Sequence, residues 1–154
     1  MSTITSANAD FRLIPVVGSA AAALLPALAG VGFPVQGFAS DDAFATDMVE
    51  AAIARMGVDG HASFGYVPRL TPQQITFQSD SPTIPLFETL VGAQDSIREV
   101  IELNGSLVLP SVGTTYQLTR GVITRITPIR PAKRVLEPVQ YEITWESVVP
   151  APVV

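Results

Sequence analysis

The sequence predicts a mainly β fold, a β-sandwich or partial barrel with one flanking α-helix. Three observations predict it. Val, Ile and Thr account for 42 of the 154 residues, and β-branched side chains suit a pleated, half-buried surface. Thirteen prolines and eleven glycines are spread between short runs, the punctuation of chains built from short strands and turns. A single segment, Ile84–Ala93, carries apolar residues at convincing helical spacing.

Residues 1–40 hold two charges, Asp10 and Arg12, and none falls between Leu13 and Ser40. Pro15, Gly18, Pro26, Gly30, Gly32 and Pro34 interrupt this stretch, so it lacks the ~20 unbroken apolar residues of a membrane span. Ala27-Leu28-Ala29 resembles a small-residue cleavage site, but the basic front end of a leader is missing. One domain is expected over 1–154, with 1–32 an apolar arm or strand pair that is buried on assembly. The competing reading takes 1–29 as the signal peptide of a secreted β-sandwich binding module.

Asp47–Met56 alternates at Val49, Ala51 and Ile53, although its Ala and Glu also suit a helix. The Val58-Asp59-Gly60 turn and the run His61–Val67 favour a hairpin. Gln73–Ser79 reads as a strand with Ile75 and Phe77 on one face. In Ile84–Ala93, Leu86, Phe87, Leu90 and Val91 form the apolar stripe; Ser81 or Thr83 can cap it, and Pro82 or Pro85 fits its first turn. Arg98–Pro110 reads as strand, Asn104-Gly105 turn, strand, because Asn-Gly tolerates the positive φ of a tight hairpin. Ser111-Val112-Gly113 turns the chain back. Thr114–Thr127 is then a strand with Tyr116, Leu118, Val122 and Ile126 on one face, Gly121 marking a bulge or a close approach. Residues 128–138 form a basic loop. The clearest strand is Val139–Ser147: Val139, Tyr141, Ile143 and Trp145 alternate with Gln140, Glu142, Thr144 and Glu146.

Hydrophobic residues are 47% and charged residues 15%, against ~25% charged in an average domain. That excludes a disordered chain and predicts apolar surface that is covered by other copies or partners. A net charge of −5 disfavours a nucleic-acid reader, which needs a basic face. With no cysteine and one histidine, thiolate and multi-histidine metal sites are excluded. No Gly-x-Ser-x-Gly elbow or phosphate loop occurs. Asp59 and His61 flank a turn glycine, a spacing that turn chemistry explains better than half a catalytic triad does. The carboxylate pairs Glu99/Glu102, Asp41/Asp42 and Glu142/Glu146 lack the contrast in environment that acid–base chemistry needs. No enzyme, cofactor or metal is expected. Arg125, Arg130, Lys133 and Arg134 are the one basic concentration. Arg130, Lys133 and Arg134 are candidate inter-subunit contacts, with Asp41, Asp42, Glu99 and Glu102 as acidic counterparts.

Four segments, in order, resemble one family. They are Met56-Gly-Val-Asp-Gly-His-Ala-Ser-Phe-Gly-Tyr-Val-Pro68, Ile75-Thr-Phe-Gln-Ser-Asp-Ser-Pro82, Tyr116-Gln-Leu-Thr-Arg-Gly-Val122 and Pro138-Val-Gln-Tyr-Glu-Ile-Thr-Trp-Glu146. Together they resemble the inner tail tube protein of contractile-tailed bacteriophages, over about Phe33 to Pro150. The resemblance implies a non-enzymatic structural subunit. Six copies would form a ring, their strands joining in one inner β-barrel, and rings would stack into a hollow tube within a contractile sheath. It implies the sheath protein, the baseplate and the tape measure protein as partners, transient passage of DNA, no membrane, and a virion tail assembled in the host cytoplasm. Six copies at −5 each carry −30, so an acidic bore would repel sliding phosphates. Glu142 and Glu146 are the expected lumen-facing carboxylates. Related alternatives are a baseplate or tail-terminator component, or a tailocin tube.

Overall fold

The computed structural model describes residues 9–15, 32–38 and 44–152. Nine strands are described: β1 (Asp10–Pro15), β2 (Phe33–Pro34), β3 (Phe44–Thr46), β4 (Ala52–Met56), β5 (Ala62–Tyr66), β6 (Thr71–Phe77), β7 (Leu103–Leu109), β8 (Thr114–Ile126) and β9 (Val139–Pro152). One helix, α1 (Ile84–Ile97), lies between β6 and β7. Seven strands form one antiparallel sheet in the order β2-β1-β7-β8-β9-β6-β3, while β4 and β5 form a separate two-stranded ribbon. The mainly β expectation with one flanking helix therefore holds.

The sheet is curled, and a short segment ties its two ends together. Val35 donates its N–H to Phe11 O on β1, while Gln78, just after β6, donates to Gly37 O and Phe38 bridges Phe77. Residues 33–38 thus pair with both ends of the sheet, which makes it a partial barrel and shields edges that would otherwise stay open. Helix α1 plugs one mouth. Phe87 packs edge-on against Phe33, Phe77 and Tyr141, with ring centroids 6.3, 5.3 and 5.1 Å apart. Such pairs add about 0.5–1.5 kcal/mol each beyond area burial. The core continues through Phe11, Leu13, Ile75, Leu103, Ile143 and Trp145, all at most 1% exposed. β1 lies inside 1–29, and a cut after Ala29 would remove a strand paired with both β2 and β7.

Several sequence expectations are met. Val139, Tyr141, Ile143 and Trp145 are buried while Gln140 and Glu146 are exposed. Ile75 and Phe77 are both fully buried, and β4 and β5 pair across the Val58–Gly60 turn. Gly113, at φ 69°, closes the turn into β8 by donating to Leu109 O.

Others are corrected. Helix α1 runs to Ile97, past the expected Ala93, and ends at Arg98 in the left-handed region (φ 56°). Thr83 stands at its N-cap without a side-chain capping bond; its hydroxyl instead accepts the Gln36 N–H at 2.8 Å. Asn104-Gly105 is no hairpin, because both lie inside β7. A Cβ at Gly105 would sit 3.1 Å from Arg12 O and from Trp145 Cη2, so this glycine serves a close approach rather than a positive φ. Val122 does not share the face of Leu118 either. β7 pairs Gly105 with Leu118 but Leu103 with Gly121, so two β8 residues oppose Asn104. This bulge places Arg120 at φ 48° and is held by Asn104 Oδ1, which accepts the Arg120 N–H at 3.1 Å. A second register shift lies between Ile123 and Arg125. Leu118, Gly121 and Ile123 therefore face inward, and Val122 outward.

Candidate assembly surface

Three surfaces carry the molecule's unusual chemistry. The first is the outer face of β8 and β9. Alternation sends Glu142, Thr144 and Glu146 outward, and the bulge brings Arg120 beside them. Arg120 contacts Glu102 at 3.1 Å and Glu146 at 3.0 Å. The hydrogen bond to Glu102, then the charges of Glu102 and Glu146, raise the Arg120 pKa above its ordinary value. Glu142 accepts from the Thr124 hydroxyl at 3.2 Å and lies 4.0 Å from Arg125. Two guanidinium groups thus meet three carboxylates on this face, which leaves it with a surplus of negative charge.

The second is the basic loop. Arg130 donates to Ser79 O at 3.0 Å and reaches Glu88 at 3.8 Å, tying the loop to the β6–α1 connection and to α1. Lys133 pairs with Glu137 at 3.1 Å. Arg134 is exposed, beside the exposed Val135 and Leu136. Glu99 is exposed just beyond the helix, and Asp41 and Asp42 lie outside the described residues. Arg130, Lys133 and Glu102 thus have partners within the chain. Tyr141, behind this region, has its pKa raised by burial, then by the Glu88 charge, with Arg130 acting in the opposite direction.

The third surface is one that residue patterns alone did not single out. Every residue of β4 and β5 is exposed. Pairing sets Ala52 opposite Tyr66, Ala54 opposite Phe64 and Met56 opposite Ala62. Directly opposed residues share a face, so one side of the ribbon is apolar at all six positions. Ile53, Arg55, Ser63 and Gly65 occupy the other side. Met56, Phe64 and Tyr66 are 70%, 77% and 79% exposed. The alternation of Ala62, Phe64 and Tyr66 is visible in the sequence; that no described residue of the chain covers it is not. At the ribbon tip Asp59 accepts the His61 N–H at 3.2 Å, an Asx turn that leaves the imidazole exposed.

At the barrel mouth away from α1 lies a cleft of about 350 Å³. Thr46, Thr71 and Gln73 line one bank, and Leu109, Tyr116 and Val148 the other. Trp145 forms part of its lining and donates its indole N–H to Gln73 Oε1 at 2.9 Å. Among the described residues no cluster of three or more metal-ligating side chains occurs, and no helix is long and apolar enough to cross a membrane.

A comparison with curated protein sequences finds no match. Solved structures match across nearly the whole chain at low identity. A chain of the anti-feeding prophage baseplate is 12% identical, with 99% of each chain covered and a TM-score of 0.57. A chain of the sheath-tube complex of an extracellular contractile injection system is 11% identical, covering 98% of this chain and 93% of that one, TM-score 0.53. A chain of the anti-feeding prophage tube-terminating cap is 10% identical, covering 99% and 93%, TM-score 0.53. These likenesses show a shared fold, that of contractile-injection tube, cap and baseplate components. The family model for tail fiber protein gp32 matches residues 14–149, from the end of β1 almost to the end of β9, and the protein belongs to that family of tail proteins.

Proposed function

We propose that the protein is a tail tube subunit. Copies sit side by side in six-membered rings, and the rings stack into a hollow conduit inside a contractile sheath. The observation that carries this reading is the ribbon, a two-stranded element with an uncovered apolar face. Such a ribbon is marginal in water on its own, and burying Met56, Phe64 or Tyr66 is worth roughly 1.5–3 kcal/mol each. A contact that repeats between unlike surfaces gives a ring where its rotation closes. The shared fold supports the reading, and the matching baseplate was solved with six-fold symmetry.

In this arrangement Glu142 and Glu146 approach the bore, the acidic lumen lets DNA slide during ejection, and the tape measure protein is a further partner. The sheath and the baseplate meet the outside and the end of the tube, and the basic loop joins neighbouring subunits. The tail is assembled in the host cytoplasm and becomes part of the virion. A cap or baseplate ring is the second reading, because the same fold matches those components over 99% of this chain. Electron microscopy of the purified full chain separates them. Long hollow filaments are expected. Single rings that never stack would indicate the cap or baseplate role, and a monomer at high concentration would overturn both.

A further inference from the structure

We propose that the apolar face of the β4–β5 ribbon docks in the open barrel mouth of the adjacent copy, its two aromatic rings filling the cleft that Trp145 helps to line. The proposal rests on the ring-forming reading and names the surface that receives the ribbon. Three observations argue for a second copy as the occupant.

The first is size. A cavity of ~150 Å³ accommodates one benzene-sized group, so a cleft of about 350 Å³ accepts two. Phe64 and Tyr66 offer two rings on one face, ~7 Å apart as next-but-one strand residues. The second is chemistry. The cleft is mainly apolar but edged by Thr46, Thr71 and Gln73, which suits a Phe beside a Tyr whose hydroxyl needs a polar neighbour. The third is reach and position. From its base, where Val67 donates to Ala51 O, to the turn at Asp59, the ribbon extends ~25 Å at ~3.3 Å per residue. That exceeds the ~15 Å radius of gyration expected for a domain of this length. The ribbon also leaves the barrel at the cleft's own end, since it joins Thr46 of β3 to Thr71 of β6. Simple stacking along the barrel axis would bring it against a neighbour's plugged end. Among copies that point the same way, docking into an open mouth sets them side by side, which is the contact a ring needs.

The chain has no cysteine, so introduced thiols are unique. Ala54→Cys marks the apolar face directly opposite Phe64, and Thr46→Cys marks the cleft bank; both sites are exposed. The two single variants are mixed and treated with a short bis-maleimide. The expected result is a covalent dimer containing one copy of each, and a ladder extending past dimer for the double variant. Both should be lost when Phe64→Ser and Tyr66→Ser are added, with the thermal midpoint of the dilute protein unchanged. Linkage of Ala54→Cys only to itself would mean that ribbons pair with ribbons, and would overturn the proposal. So would linkage confined to one chain, or a double variant that stops at dimer. Electron microscopy of the same samples separates the two levels of inference. Rings or filaments without a ribbon–cleft link sink this proposal alone, whereas a ladder without rings or filaments sinks the tube reading alone.

Discussion

Gly121 leaves the room that the Trp145 indole fills. A Cβ there would be driven into the Trp145 indole, which is fully buried and held in place by its bond to Gln73. Gly121→Ala is expected to destabilise by ~1–3 kcal/mol through overpacking, read as a lower urea midpoint at unchanged slope. Gly92 is the control. It lies on the exposed side of α1, where an added Cβ would meet nothing within 4 Å, and alanine there should stabilise by up to ~1 kcal/mol. Equal effects at both positions would show that helix and strand propensity, not the Trp145 contact, sets the cost. The neighbouring Arg120 keeps its left-handed backbone because Asn104 accepts the N–H that the bulge takes out of the strand ladder.

At the scale of elements, the closing segment 33–38 and the ribbon behave oppositely. The first is clamped at Gln36 by the β6–α1 connection: Thr83 accepts the Gln36 N–H, and the Ser81 hydroxyl donates to Gln36 O at 2.5 Å. Removing one acceptor leaves a part-buried donor unmatched. Thr83→Val is therefore expected to cost about 1–2 kcal/mol, while Thr83→Ser retains most of the stability; calorimetric midpoints of the two variants decide. A Thr83→Val protein as stable as Thr83→Ser would show that strand pairing alone closes the barrel. The ribbon has no such clamps among the described residues, which is why its energetics are assigned to assembly. The Asn104-Gly105 pair shows the limit of local rules. Its turn preference is overruled because β1 and Trp145 crowd the site and the β8 bulge needs the Asn104 side-chain carbonyl.

At the scale of the whole molecule, low charge and exposed apolar surface describe a subunit whose exterior is finished by others. Lys133→Glu combined with Arg134→Glu is expected to weaken self-association at low salt, with the difference shrinking as salt screens it, over a Debye length of ~10 Å at 0.1 M. Sedimentation velocity across a salt series measures this. Unchanged self-association at low salt would mean that the loop charges serve their own chain, as the Lys133–Glu137 pair already does.

The amino-acid sequence by itself determined the period-2 faces of β6 and β9, the ribbon turn at Val58–Gly60 and the existence of α1. These follow from side-chain direction along a single segment, a property that needs no knowledge of neighbours. Only the tertiary structure decided the two phase shifts in β8, the mid-strand use of Asn104-Gly105, the closure by residues 33–38 and the cleft beside Trp145. Each depends on which distant strand lies alongside, and a bulge or a close approach is stable only when that neighbour supplies the acceptor or leaves the space.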